Sequence, residues 1–69
     1  MNERLLKAET VRAGMNFSEL AEKAGISKSG FYARLKKGSF TQHEICAIQQ
    51  VLGLSKELMV QIFFGEKVS

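Results

Sequence analysis

The segment LAEKAGISKSGF, residues 20–31, lies near the middle of a chain of 69 residues and carries the clearest structural signal in it. Its first half places Leu20 and Ala24 at helical spacing. Gly25 follows and can adopt the left-handed conformation that ends a helix. Ser27 can then cap a new helix, so the intervening turn is very short. Two helices joined in this way predict a helix-turn-helix motif.

Capping residues and glycines divide the remaining chain by the same logic. The first helix is predicted over roughly residues 3–12, before Gly14. The second helix should begin at the capping box Asn16–Glu19 and end at Gly25, and the third should begin at Ser27 and end at Gly38. The fourth should begin at the capping box Thr41–Glu44 and end at Gly53, and Ser55 should cap the fifth. We therefore expect an all-α fold of five short helices in a single domain, residues 1–69. The helix-turn-helix should span about residues 17–37, and a short extended tail can follow at residues 64–69.

Apolar spacing assigns a core face to each helix. The predicted inward residues are Leu5, Ala8 and Val11 with Leu6 beside them, Phe31 and Leu35, Ile45, Ile48, Val51 and Leu52, and finally Leu58, Met59, Ile62 and Phe63. Ala21 should be small because the next helix crosses close to it. Phe40 should pack beneath the loop between the third and fourth helices, and Cys46 is expected in the core as a small apolar residue.

Positive charge is concentrated in one third of the chain. Residues 23–43 contain no Asp or Glu, yet they include Lys23, Lys28, Arg34, Lys36 and Lys37. The formal net charge of the whole chain is only +3. Such a segment is typical of a face that binds a polyanion, although a solvated basic surface is an equal alternative on charge alone.

The residue inventory excludes most enzymatic chemistry. The chain has one His, one Cys and no Asp, so a Ser-His-Asp triad cannot be assembled. His43 and Cys46 supply two possible metal ligands where a structural zinc site needs four, and no metal or cofactor is expected. A single Cys fits a reducing cytoplasm. We expect neither a secretory signal nor a membrane span, since no apolar run approaches about 20 residues.

The outer face of the third helix is the candidate binding surface. With Phe31 pointing inward, about 100° per residue places Ser29, Ala33 and Lys36 on the opposite side. Tyr32 and Lys37 flank that face, and the first helical turn adds Lys28. Small polar residues edged by cations suit the major groove of DNA, where Ser and Lys reach base edges and phosphates.

Together, the residues from Leu20 to Phe31 resemble the helix-turn-helix of the Xre/Cro/cI-type regulators, and the small size is most like bacteriophage Cro-like repressors. The resemblance covers about residues 11–64 and implies a five-helix, lambda-repressor-like domain. It also implies sequence-specific binding of double-stranded DNA at a palindromic operator as a homodimer. The residues implied in or beside the groove are Ser27, Lys28, Ser29, Tyr32 and Ala33, with Lys36 and Lys37 on phosphates and Phe17 and Ser18 near the backbone.

Two positions depart from the family pattern. Phe17 stands where the family usually has a Gln that bonds a phosphate and braces a recognition residue, although the Phe17 backbone N–H remains available. The family's last core residue of the third helix falls at Arg34, whereas the apolar residue here is Leu35. This shift predicts a third helix that is slightly rotated or one residue longer.

Several side chains allow two interpretations. Gly30 gives close approach to DNA or packing clearance beneath the second helix, and Tyr32 touches DNA or packs at the core edge. Arg34 can contact phosphate or lie over apolar surface with its head in water. Among the last seven residues, Phe64 and Val68 are predicted to form the dimer interface.

Two functions from different classes follow. The leading hypothesis is a transcriptional repressor of phage or prophage type that occupies promoter DNA. The alternative is a protein-interaction module, such as an antirepressor or antitoxin, that binds another regulator protein. An exposed Phe17 favours this alternative, while the acid-free basic segment argues against it as the only role.

Overall fold

A computed structural model describes residues 1–64 of the chain. Within these residues it contains five α-helices and no strand. The helices are α1 Glu3–Arg12, α2 Phe17–Ala24, α3 Lys28–Lys37, α4 Gln42–Leu52 and α5 Lys56–Phe63. The all-α prediction is therefore confirmed. The predicted tail lies almost entirely outside the described residues.

Side-chain caps start the five helices, four of them at the positions that the sequence predicts. Both predicted capping boxes form, and in the first the Asn16 side chain accepts from the Glu19 N–H at 2.8 Å. Ser27 and Ser55 cap α3 and α5 in the same manner. Asn2 caps α1, although it was not among the caps predicted from the sequence. These side chains satisfy backbone N–H groups that a helix start leaves free, which fixes the register of short helices.

One apolar core lies between the helices. Its fully buried members include Leu20, Ala21, Phe31, Ile48 and Ile62. Aromatic rings continue it toward α5, because Phe31 contacts Phe40 at 5.3 Å between ring centroids and Phe40 contacts Phe63 at 5.9 Å. The Phe40 ring is half-buried, and with these contacts it ties the loop before α4 to the core.

The predicted core face of α1 is wrong. Leu6 and Thr10 are its buried residues, whereas Ala8 and Val11 are exposed and Leu5 is half-buried. Thr10 can be buried because its hydroxyl donates to the Leu6 carbonyl at 2.7 Å. Thr10 thus occupies the inward position that the apolar pattern assigned to its neighbour Val11.

No helix in residues 1–64 is long and apolar enough to cross a membrane.

Candidate nucleic-acid interface

The turn between α2 and α3 sets the position of the candidate binding helix. Gly25 adopts a left-handed conformation, with φ of 75°, that other residues rarely take. The Ile26 N–H then donates to the Ala21 carbonyl at 2.9 Å and closes the turn on the end of α2. Ala21 is fully buried, as expected for a small residue at a close crossing. The backbone itself therefore fixes where α3 begins.

The outer face of α3 is open to solvent. Phe31 and Leu35 point into the core, and the side chains on and beside the other face are exposed. The exposed residues are Lys28, Ser29, Tyr32, Ala33, Lys36 and Lys37. No acidic side chain lies within α3. This helix therefore presents small side chains flanked by cations, which can enter a groove and contact both base edges and phosphates.

Two serines stand at the helix starts of the helix-turn-helix. Ser27 is exposed, and its Oγ accepts from the Gly30 N–H at 3.1 Å. This bond leaves the Ser27 hydroxyl hydrogen free to donate to another acceptor. Ser18 is half-buried in the first turn of α2. Both positions adjoin helix N-termini, where backbone N–H groups favour anions.

Phe17 is not the exposed side chain that the protein-interaction hypothesis assumed. It is half-buried, with its ring 5.3 Å from the Phe31 ring and 6.4 Å from the Tyr32 ring between centroids. The second contact is edge-to-face, a favourable arrangement of aromatic rings. Phe17 therefore supports Tyr32 by packing, although it lacks the amide of the usual Gln. Tyr32 itself is 47% exposed, so its ring lies at the core edge and also borders the open face.

Lys7 of α1 also borders the site, and this was not predicted from the sequence. A groove of about 460 Å³ lies between α1 and α3, and its lining includes Glu3, Lys7, Phe17, Tyr32 and Lys36. Two cations and one carboxylate thus border one depression beside the outer face of α3. No local pattern in α1 indicates this role, because only tertiary packing brings Lys7 next to α3.

Arg34 is committed to a partner within the protein. Its Nε lies 2.8 Å from the Glu44 Oε1 of α4. The guanidinium is therefore neither an unpaired group resting over apolar surface nor an unpaired cation that could bind phosphate. The predicted rotation or lengthening of α3 is not needed to explain the shifted pattern. Leu35 is buried, Arg34 forms this ion pair, and α3 ends at Lys37 as predicted.

A second groove, of about 370 Å³, follows α3 toward α4. Its lining includes Ala33, Arg34, Lys37 and Thr41. Lys37 is exposed there, and no salt bridge to it is formed within the described residues. The arrangement offers a cation at the edge of the outer face, suited to a phosphate on the flank of a bound duplex.

The predicted dimer residues lie near the C-terminal end of the chain. Phe64 is 63% exposed and borders a groove of about 250 Å³ that includes Phe40, Ile45 and Met59. Val68 lies outside the described residues. Cys46 also lines this groove and is exposed, so its predicted place in the core is wrong. The inward stripe of α4 is formed by Ile45 and Ile48, and Cys46 is turned away from it.

Comparison with protein families identifies a match to the bacteriophage CI repressor helix-turn-helix domain over residues 3–62. The matched segment contains almost all of the five helices and the whole α2–turn–α3 unit. Comparisons with curated proteins and with solved structures found no match. The family is one of DNA-binding repressor domains and is not an enzyme family. Since the match covers most of the chain and agrees with its helices, the chain belongs to the bacteriophage CI repressor helix-turn-helix domain family and is a DNA-binding regulator domain.

Proposed function

We propose that this chain represses transcription by binding a palindromic operator as a homodimer, with α3 of each protomer in the major groove. The observation that carries the proposal is the exposed outer face of α3, which combines small side chains with cations and contains no acid. A bound repressor would occupy promoter DNA and block the polymerase, in the cytoplasm of a bacterial host. This mechanism needs neither a cofactor nor a metal.

Each side chain of the face has an assigned task. Ser29 and Ala33 stand at the centre and would approach base edges, Ser through its hydroxyl and Ala through apolar contact with a thymine methyl. Lys36 and Lys37 would neutralise phosphates on the flank. The flanking set is completed by Ser27, Lys28 and Tyr32 on α3 and by Phe17 and Ser18 at the start of α2. The Phe17 contribution is its backbone N–H and its support of Tyr32.

Dimerisation is part of the proposal because one helix reads only a short half-site. Two half-sites about one helical turn apart raise both affinity and specificity. The large exposed ring of Phe64 and the adjoining apolar groove support this end of the molecule as the contact, with Val68 as a second member.

Phe64→Ser tests the dimer contact. The substitution removes an exposed apolar ring and should weaken dimerisation by tenfold or more, about 1.4 kcal/mol, with little loss of folding stability. Sedimentation equilibrium over a range of protein concentrations measures the dimer dissociation constant. Val60→Ser is the matched control, because Val60 is also exposed on α5 but lines a different depression with Lys56 and Glu57. A Phe64→Ser variant that dimerises like the wild type would contradict the assigned contact.

Selection of bound duplexes from a random DNA library, at two salt concentrations, tests the function itself. The proposal predicts recovery of an inverted repeat with half-sites about one helical turn apart. Recovery of salt-sensitive binding without sequence preference would contradict it. That result would favour the protein-interaction hypothesis, in which another regulator protein is the principal partner.

A further inference from the structure

An ion pair joins the candidate recognition helix to the helix that follows it. Arg34 on α3 and Glu44 on α4 lie 2.8 Å apart between Nε and Oε1. Their side chains are 37% and 15% exposed, so the pair is shielded on one side without being cut off from water. The other salt bridge within residues 1–64, Arg12 with Glu9, lies inside α1 at 3.8 Å and holds no helices together.

Both members of the pair are also bonded to helix backbones. The Arg34 Nη1 group donates to the Gly30 carbonyl at 3.1 Å, in the first turn of α3. The Glu44 Oε1 atom accepts from the Thr41 N–H at 2.9 Å, at the start of α4. The first turn of one helix is thus connected to the first turn of the next through two side chains. A rigid guanidinium fork can make such divided contacts in fixed directions, which a flexible lysine ammonium cannot.

Gly30 provides the space for this arrangement. A Cβ atom at Gly30 would lie 2.8 Å from the Ser27 Oγ and 3.1 Å from the Arg34 Nη1. Its nearest neighbours are therefore the cap of α3 and the Arg34 guanidinium, and none of the three nearest atoms belongs to α2. Of the two interpretations of Gly30, clearance beneath the second helix is thus not supported, and close approach to DNA stays a prediction. The clearance serves Ser27 and Arg34, and this offsets the cost of a glycine in a helix.

We propose that Arg34 is a positioning residue for sequence recognition. Its ion pair with Glu44 sets the orientation of α3 relative to α4, and hence which base edges Ser29 and Ala33 reach. The inference rests on the proposed function, since it assumes that α3 reads an operator. A partly exposed ion pair contributes little to stability, so its effect falls on geometry more than on folding.

The test compares binding to the selected operator with binding to a scrambled duplex of the same length. Arg34→Met should reduce the ratio of the two affinities severalfold, up to about fivefold, the factor that corresponds to about 1 kcal/mol for a partly exposed ion pair. Arg34→Lys should reduce it similarly, because Lys keeps the charge and loses the fork. Glu44→Gln keeps the acceptor for the Thr41 N–H but removes the charge, and should also lower the ratio. The double variant should lose little more than either single one, as expected for one shared interaction.

Lys37→Met is the matched control from the same helix. Lys37 is exposed and should act through phosphate, so its loss should weaken binding to both duplexes and leave their ratio unchanged. Its salt slope should flatten by about one unit, whereas the slope of Arg34→Met should match the wild type. An Arg34→Met variant with an unchanged ratio and a flatter slope would make Arg34 a phosphate contact and overturn the inference.

A measurement without DNA separates this inference from the proposed function. Residual dipolar couplings of the free protein report the orientation of α3 against α4, and circular dichroism confirms that each variant is folded. We expect the orientation to change in Arg34→Met and to be preserved in Lys37→Met. An unchanged orientation in Arg34→Met overturns the positioning role, whatever the operator experiments give. If selection finds no operator for the wild type, the proposed function fails, and the couplings alone decide whether Arg34 orients α3.

Discussion

The two connections that hold α3 in place work by different means. At the turn from α2, the backbone positions α3, through the left-handed conformation of Gly25 and the hydrogen bond from the Ile26 N–H to the Ala21 carbonyl. At the connection to α4, side chains span the gap through the Arg34–Glu44 ion pair and the Phe40 ring. The first connection is the short glycine-containing turn that defines a helix-turn-helix, whereas the second depends on the side chains of Arg34, Glu44 and Phe40. We infer that the turn defines the helix-turn-helix and that the second connection sets the orientation of α3 relative to α4.

Phe31→Ala should break both connections and have the largest effect. The ring is fully buried and contacts Phe17 on one side and Phe40 on the other. Loss of a buried Phe costs about 3–5 kcal/mol, against a total of roughly 3–10 kcal/mol for a domain of this size. Urea denaturation followed by circular dichroism measures the free energy of unfolding. Val11→Ala, at an exposed position, should change it by less than about 0.5 kcal/mol. Equal losses for the two variants would contradict the assigned core.

Gly25→Ala acts on the turn alone and should have the next largest effect. No side chain or backbone atom blocks a Cβ there, so the cost is the left-handed strain of about 1–2 kcal/mol. Thermal and urea unfolding both measure it. Gly53→Ala, also left-handed and unobstructed at the end of α4, provides the control and should lose a similar amount. A far larger loss at Gly25 would show that the turn contributes more than its local conformation.

Arg34→Met acts on the second connection alone and should lower stability by less than about 1 kcal/mol. A pair with one partner more than a third exposed gains little from its Coulomb attraction, because water screens it. Urea denaturation of Arg34→Met beside Gly25→Ala makes the comparison direct. A loss at Arg34 that exceeded the loss at Gly25 would reverse the proposed division, with the ion pair and not the turn as the main support.

Lys36→Ala touches neither connection and should have the smallest effect on stability, within about 0.5 kcal/mol. Its effect should appear in DNA binding, as weaker affinity for all sequences and a salt slope flatter by about one unit. Fluorescence anisotropy at several salt concentrations measures both. Ser29→Ala is the counterpart and should change the preference between sequences while leaving the slope intact. If Lys36→Ala instead changed sequence preference, the assigned orientation of α3 would be wrong.

The helices could be predicted from the sequence because their ends are marked locally. Asn16 with Glu19, and Thr41 with Glu44, are caps formed by residues three positions apart, and Gly25 ends α2 within the same short stretch. Such signals need no knowledge of tertiary structure. The all-α fold and the helix-turn-helix therefore followed from residues that are close in the chain.

Some errors arose where distant residues meet. The partner of Arg34 is ten positions away on another helix, and Lys7 shares a groove with Phe17 and Tyr32 only because α1 packs against α2 and α5. One error was local, because apolar periodicity does not register Thr10, whose hydroxyl bonds to a carbonyl of its own helix. One signal was available for the ion pair: an Arg in a position that the family fills with an apolar residue needs a partner.

An NMR titration tests directly whether the outer face of α3 binds DNA. Isotope-labelled protein is titrated with a duplex, and the chemical shift of each backbone amide is followed. We expect the largest changes at Ser29, Ala33 and Lys36, with smaller ones at the start of α2. Largest changes around Phe64 or Val11, with the amides of α3 unmoved, would contradict this expectation.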